Sequence, residues 1–331
     1  MKLQRSASLL AVAVLALGVA ACSPTADTSK TATTAPAVPV ESFLGRWDLT
    51  LKAPDKEYPS WLELTQENGQ LKAVMVGRWG NARPLPKVEI TNGQLKFVSP
   101  KEEEGAKSDM VFNGTLTGST LSGTATAPDG TTTWTWTGEK APSLKESGTP
   151  KWGKPIALFN GKDLSGWTMS KSEAKTAWKL ENGNLVTPGE GPELINDQKF
   201  QDFKLHVEFK PDADSNSGVY LRGRYEVQIE TDSPNDPPNR RLGSVYGFLT
   251  PSPEPARTSG KWQTYDITLI GRNITVVHDG KTIIDNQEIP GITGGALDSR
   301  EAQPGPIYLQ GSEKGYVYFR KIVITPAEPA S

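Results

Sequence analysis

The chain is predicted to be all-β: a small antiparallel barrel-like domain followed by a two-sheet sandwich. Short runs rich in β-branched and aromatic residues fill residues 43–139 and recur in the second half as FKLHVEF, GVYLR, YEVQI, QTYDITLI, NITVVHDGKTIID and YVYFRKIVI. Turn pairs such as Asn68-Gly69, Asn92-Gly93 and Asp129-Gly130 punctuate the first half, each suited to a tight hairpin needing positive φ. No convincing helical period intervenes in the second half. The 331 residues allow about two domains. A formal charge of −2 with no Lys/Arg-rich block excludes the electrostatic footprint of a nucleic-acid binder.

Residues 1–21 open with Lys2 and Arg5 and continue as an apolar run from Leu9 to Ala21, the layout of a secretory signal peptide. The run ends at Val19-Ala20-Ala21-Cys22, which resembles a bacterial lipoprotein box. Cys22 is the only cysteine, so it closes no internal disulfide. The resemblance implies cleavage before Cys22, acylation of its thiol, and anchoring to a membrane of the bacterial cell envelope, on a periplasmic or surface-facing side. Residues 22–40, mostly Ser, Thr, Ala and Pro, read as a flexible tether.

Eight strands are expected in residues 41–140, near 44–52, 60–67, 70–77, 86–91, 94–99, 109–117, 120–126 and 131–138, a number that fits an up-and-down barrel. ENGQLKA and TNGQLKF reflect two hairpins with the same turn chemistry rather than a true repeat. Glu102-Glu103-Glu104 reads as a solvated loop. Trp79, in GRWGNARPL beside Arg78 and Arg83, could stack on a ligand ring or a neighbouring domain, but is read as a core residue alongside Trp47, Trp61, Trp134 and Trp136. Without a catalytic set of His, Cys or Ser, this domain is read as an accessory module.

Residues 141–154 gather Pro, Gly, Ser and Lys without period and mark a linker. The second domain, 155–326, has strands separated by loops of very unequal length, which favours a sandwich over a small barrel. Its loops 233–241, 250–260 and 291–305 are long and rich in Pro and Gly, and could wall a functional face.

That face is expected in residues 214–230, DSNSGVYLRGRYEVQIE. Strand alternation puts Tyr225, Val227 and Ile229 on one side and Glu226, Gln228 and Glu230 on the other, with Tyr220 and Arg222 offered by the preceding strand. His206 and His278 read as outer-face and strand-end residues, and no spacing suggests a zinc site or a Ser-His-Asp triad. Glu226 and Glu230 stand about 13 Å apart along a strand, too far for a retaining carboxylate pair. A second carboxylate would come from Asp214, Glu193, Asp298 or Glu301.

LFNGKDLSGW, GNLVT, FQDFKLHVEFK, SNSGVYLRGRYEVQIE, YGF, GKWQTYDITLIG, IPGITGGALDS and GPIYLQG, in that order, resemble the 3-keto-disaccharide hydrolase family across residues 155–326. The resemblance implies a concanavalin A-like jelly-roll sandwich acting on carbohydrate, namely glycosides whose sugar carries a ketone at carbon 3. A base would remove the C2 proton and the C1 substituent would then leave, so one base and help for the enolate oxygen suffice. Glu226 and Arg222 are the expected catalytic pair. Asp214, Asn216, Tyr220, Gln228, Glu230, Tyr246, Gln310 and Glu193 are the expected substrate contacts. The cofactor is open, a divalent ion such as Ca or Mg being one candidate. Family members often carry a histidine after the Leu-Gln of GPIYLQ; here Gln310 is followed by Gly311-Ser312-Glu313-Lys314-Gly315, which leaves two readings open, Glu313 in the histidine's place or a loss of activity. The competing readings are a non-catalytic carbohydrate-binding lipoprotein and a surface scaffold.

Overall fold

The structure, a computed structural model, describes residues 38–144, 148, 150–170, 178–187, 189, 191–231, 234–312 and 314–328. The signal peptide, Cys22 and Glu313 lie outside the described residues.

Strands β1 (Gly45–Lys52), β2 (Glu57–Glu67), β3 (Gln70–Val76), β4 (Arg83–Pro84), β5 (Lys87–Thr91), β6 (Gln94–Ser99), β7 (Met110–Thr117), β8 (Thr120–Thr126) and β9 (Thr133–Lys140) form one antiparallel sheet. Their order is β4-β3-β2-β1-β9-β8-β7-β6-β5. Consecutive strands pair throughout except β4 and β5, which lie at the two edges; β1 pairs with β9, and β3 approaches β5, so the sheet curls into a barrel. Alternation explains its filling: Trp47, Leu49, Leu62, Leu64, Phe97, Phe112 and Trp136 point into one core.

The Glu102–Glu104 run corrects the sequence reading. Lys101–Glu104 is a helical turn closed by left-handed Gly105. Glu104 is buried and accepts hydrogen bonds from Arg83 Nη2 at 2.5 Å, Arg78 Nε at 3.3 Å and Ser99 Oγ at 2.8 Å. A carboxylate can sit there because two guanidiniums neutralise it.

The second half supplies β10 (Ile156–Ala157), β11 (Trp167–Met169), β12 (Lys179–Glu181), β13 (Asn184–Val186), β14 (Leu194–Phe200), β15 (Phe203–Pro211), β16 (Asn216–Leu221), β17 (Tyr225–Glu230), β18 (Gln263–Ile270), β19 (Asn273–His278), β20 (Lys281–Glu288), β21 (Gly305–Leu309) and β22 (Val317–Pro326). One sheet runs β12-β13-β22-β15-β18-β19-β20, with β10 beside β22; the other runs β11-β14-β21-β16-β17. Their facing side chains, among them Phe209, Val219, Leu221, Val227, Ile229, Tyr265 and Phe319, make one apolar core. This is the two-sheet sandwich expected.

Trp61 and Val76 leave the barrel and join the sandwich core. Leu62 faces into the barrel, so alternation sends Trp61 outward. There it meets Phe248 edge-on, with centroids 5.3 Å apart. A Cβ on Gly291 would fall 2.1 Å from the Trp61 indole nitrogen, so only glycine allows this approach.

Candidate active site

The site grows out of the β16–β17 hairpin. Tyr225, Val227 and Ile229 enter the core, and Glu226, Gln228 and Glu230 take the opposite face, as alternation requires. That face is roofed: each of the three polar residues is buried.

Register places Gly218 opposite Gln228 and Tyr220 opposite Glu226. The Glu226 side chain lies over the neighbouring strand, where a Cβ on Gly218 would come 2.2 Å from its Oε1. Glycine at 218 therefore makes the room for the carboxyl. The Tyr220 hydroxyl is 2.9 Å from Glu226 Oε2 and 2.6 Å from the Gly294 carbonyl oxygen. A phenol carries one proton. Directed at Glu226, it stabilises the carboxylate; directed at Gly294, it leaves the phenolic oxygen to accept from a protonated Glu226. The pair thus accommodates both protonation states.

Tyr220 is fixed by stacking on Tyr308, with centroids 3.9 Å apart and planes 14° from parallel. The Tyr308 hydroxyl donates to the Gly295 carbonyl at 2.5 Å. Burial first, then the charge of Glu226, pushes both hydroxyls well above the ordinary tyrosine range, so both remain neutral donors.

A pocket of ≈ 360 Å³ opens over this hairpin. It brings together seven of the residues expected from the sequence: Glu226, Tyr220, Asn216, Gln228, Tyr246, Gln310 and Glu193. Glu193 also shares a hydrogen bond with the Ser170 hydroxyl through Oε2. The Gln310 Oε1 is buried without a hydrogen-bond partner among the described residues, an acceptor that a ligand hydroxyl would satisfy.

Three expected residues are not brought there. Arg222 sits just past β16 with φ 51°, so strand alternation fails at it. It turns into the protein, where Nη2 donates to the Tyr225 hydroxyl at 3.0 Å and to the Gly271 carbonyl at 2.8 Å. Its expected catalytic role is corrected to an internal one. Glu230 shares the face of Glu226 but lies outside the pocket, with Arg257 Nη1 at 3.3 Å. Asp214 occupies an exposed left-handed turn before β16 and also lies outside the pocket.

Asp298 and Glu301, the other candidate carboxylates, serve ion pairs instead. Asp298 meets Arg224 Nη2 at 2.8 Å, and Glu301 accepts from the Tyr225 hydroxyl at 2.6 Å and Arg272 at 3.1 Å. His206 pairs with Asp266 at 2.7 Å, and His278 is buried against Gln263.

The sequence reading missed one wall. Trp79, read as core, is 43 % exposed and lines the pocket with Gly80, Gly294 and Gly295. Its position beside two arginines was the available signal. Among the described residues no group of three His, Cys, Asp or Glu gathers. A hard cation here would rest on Glu226 and Glu193 with amide oxygens of Asn216, Gln228 and Gln310, an oxygen set suited to Ca²⁺ or Mg²⁺.

The pocket lies on the outer face of one sandwich sheet and is floored by a carboxyl and a tyrosine. The family model for the 3-keto-alpha-glucoside-1,2-lyase-like domain matches residues 154–325, and the chain belongs to that family. A 3-keto-disaccharide hydrolase of Bacteroides thetaiotaomicron is 26% identical over 37% of this chain and 54% of that protein, so the chain spans about half the length of this relative. Two solved structures from Parabacteroides distasonis ATCC 8503, each provisionally described as a glycosyl hydrolase, also align. One is 30% identical with TM-score 0.44, covering 51% of this chain and 82% of that one. The other is 20% identical with TM-score 0.43, covering 53% and 94%.

Proposed function

We propose that the protein cleaves 3-keto-glycosides by elimination and rehydration, with Glu226 moving the proton. The observation that carries this reading is the Glu226–Tyr220–Gly294 arrangement, in which one phenol serves the carboxyl in both its states. A 3-ketone acidifies the hydrogen on C2. Glu226 takes that proton while the electron pair moves onto the C3 oxygen as an enolate. When the C3 carbonyl re-forms, the C1–C2 double bond forms and the C1–O bond breaks, and the leaving oxygen takes up a proton. Water then adds its hydroxyl at C1 and a proton returns to C2.

The residues fit this sequence of events. Tyr220 and Tyr308 orient the base, and Asn216, Gln228 and Gln310 offer donors to the sugar hydroxyls and to the enolate oxygen. In the same reading, Cys22 carries the lipid that holds the enzyme at the outer side of a bacterial membrane.

The pathway is tested in D₂O. Elimination followed by hydration installs deuterium at C2 of the released 3-keto-sugar at a rate matching turnover, beyond the exchange of free 3-keto-glucose in a parallel sample. Release without C2 deuterium would overturn the elimination route in favour of direct hydrolysis.

A further inference from the structure

The loop between β3 and β4, residues 77–82, leaves the barrel and walls the pocket of the sandwich. It is seated closely on that domain. A Cβ on Gly294 would come 2.0 Å from the Gly80 carbonyl oxygen, and one on Gly247 would come 2.7 Å from Asn81 Cβ. Both sandwich positions need glycine for the barrel loop to dock.

The tip of this loop is built as a fixed aromatic surface. The Arg78 guanidinium lies 3.8 Å from the centroid of the Trp79 indole. Arg78 is itself buried and held by Glu104, through Nε at 3.3 Å and through Nη2 to the Glu104 carbonyl at 2.5 Å. Gly77 completes the support, since a Cβ there would fall 2.2 Å from Glu104 Oε1. A buried ion cluster carries a desolvation cost, and here it fixes an indole that remains 43 % exposed at the pocket edge. With a cation against one face, the open part of the indole is what the pocket presents.

The pocket is therefore divided. The hairpin end, with Glu226, Gln228 and Asn216, offers polar groups to the sugar whose C2 proton is removed. The barrel end, Trp79 and Gly80, adds a ring face and no hydrogen-bonding carboxylate or amide side chain.

We propose, resting on the reading above, that Trp79 is the platform for the group attached to C1, so that the barrel selects glycosides whose leaving group is a ring. Stacking between the indole face and the ring's C–H or π surface supplies the preference.

The test compares wild-type, Trp79→Ala and Trp79→Phe proteins on a 3-keto-disaccharide, a phenyl 3-keto-glucoside and a methyl 3-keto-glucoside. Trp79→Ala is expected to raise KM for the two ring-bearing substrates about tenfold relative to the methyl glycoside. Trp79→Phe is expected to restore most of the difference. A loss confined to the phenyl glucoside would assign the platform to aromatic rather than sugar leaving groups. An equal change for all three substrates, or none, would overturn the proposal. If the wild type turned over none of them, the reading of the reaction would fail on its own. Calorimetric affinities for the disaccharide and the methyl glycoside would then test the platform, with equal affinity ratios in wild type and Trp79→Ala overturning it.

Discussion

Tyr220 works through Glu226, and its removal separates orientation from proton transfer. Tyr220→Phe keeps the ring stacked on Tyr308 but withdraws the hydroxyl 2.9 Å from Glu226. Turnover should fall about tenfold with little change in melting temperature, as steady-state kinetics beside a thermal melt would show. A second residue-scale prediction concerns Asp48 of the barrel, buried beside Glu301 of the sandwich. Burial, then the Glu301 charge, pushes its carboxyl up from the ordinary value to about 9. Between pH 4 and 9 the unfolded chain releases a proton that the native state retains. This group's contribution to stability is therefore complete below pH 4 and declines as pH rises toward 9, by at most about 1.4 kcal/mol per unit. Asp48→Asn should flatten that decline, seen as a higher melting temperature than wild type at pH 8 and a smaller difference at pH 5. Alternation made Glu226 and Gln228 legible from the sequence, because period 2 holds along β17. Arg222 was misread because its left-handed backbone breaks the period, and nothing in Leu-Arg-Gly announced which residue of the turn would do so.

Glycine placement and short-range ion pairs decide how the elements meet. Gly218→Ala would put a Cβ on top of the Glu226 carboxyl. Turnover should drop by about tenfold or more while the protein stays folded, a contrast that kinetics and circular dichroism resolve together. Glu104→Gln would remove the carboxylate that Arg78 and Arg83 share in the interior, leaving Arg83 only the more distant Glu103 at 3.8 Å. It should destabilise the barrel by on the order of 3 kcal/mol, measured by urea unfolding. The hairpins of the barrel were readable from Asn-Gly and Asp-Gly turns, and eight expected strands match β1–β3 and β5–β9 within about three residues. The helical turn at Lys101–Glu104 was not readable. Its three glutamates look alike in sequence, and only the fold selects Glu104 for burial between two arginines.

At the scale of the whole molecule, the barrel and sandwich share side chains. Trp61 and Val76 lie in the sandwich core, Arg46 pairs with Glu288 at 2.8 Å, and the Ser299 hydroxyl donates to the Leu49 carbonyl at 2.5 Å. These contacts are not legible in the sequence, because a tryptophan facing out of a barrel and one facing into it share the same local pattern. Only docking onto a partner surface tells them apart. The order of motifs across residues 155–326 did carry the family and, through SNSG and YEVQIE, most of the pocket floor. Whether Glu226 moves the C2 proton is read from turnover of a 3-keto-glucoside with a chromogenic leaving group by wild type and Glu226→Gln, beside substrate binding and a thermal melt. With Glu226 as the base, kcat should fall by about a hundredfold or more, with binding and folding retained. A folded Glu226→Gln protein that releases the chromophore at the wild-type rate would contradict it.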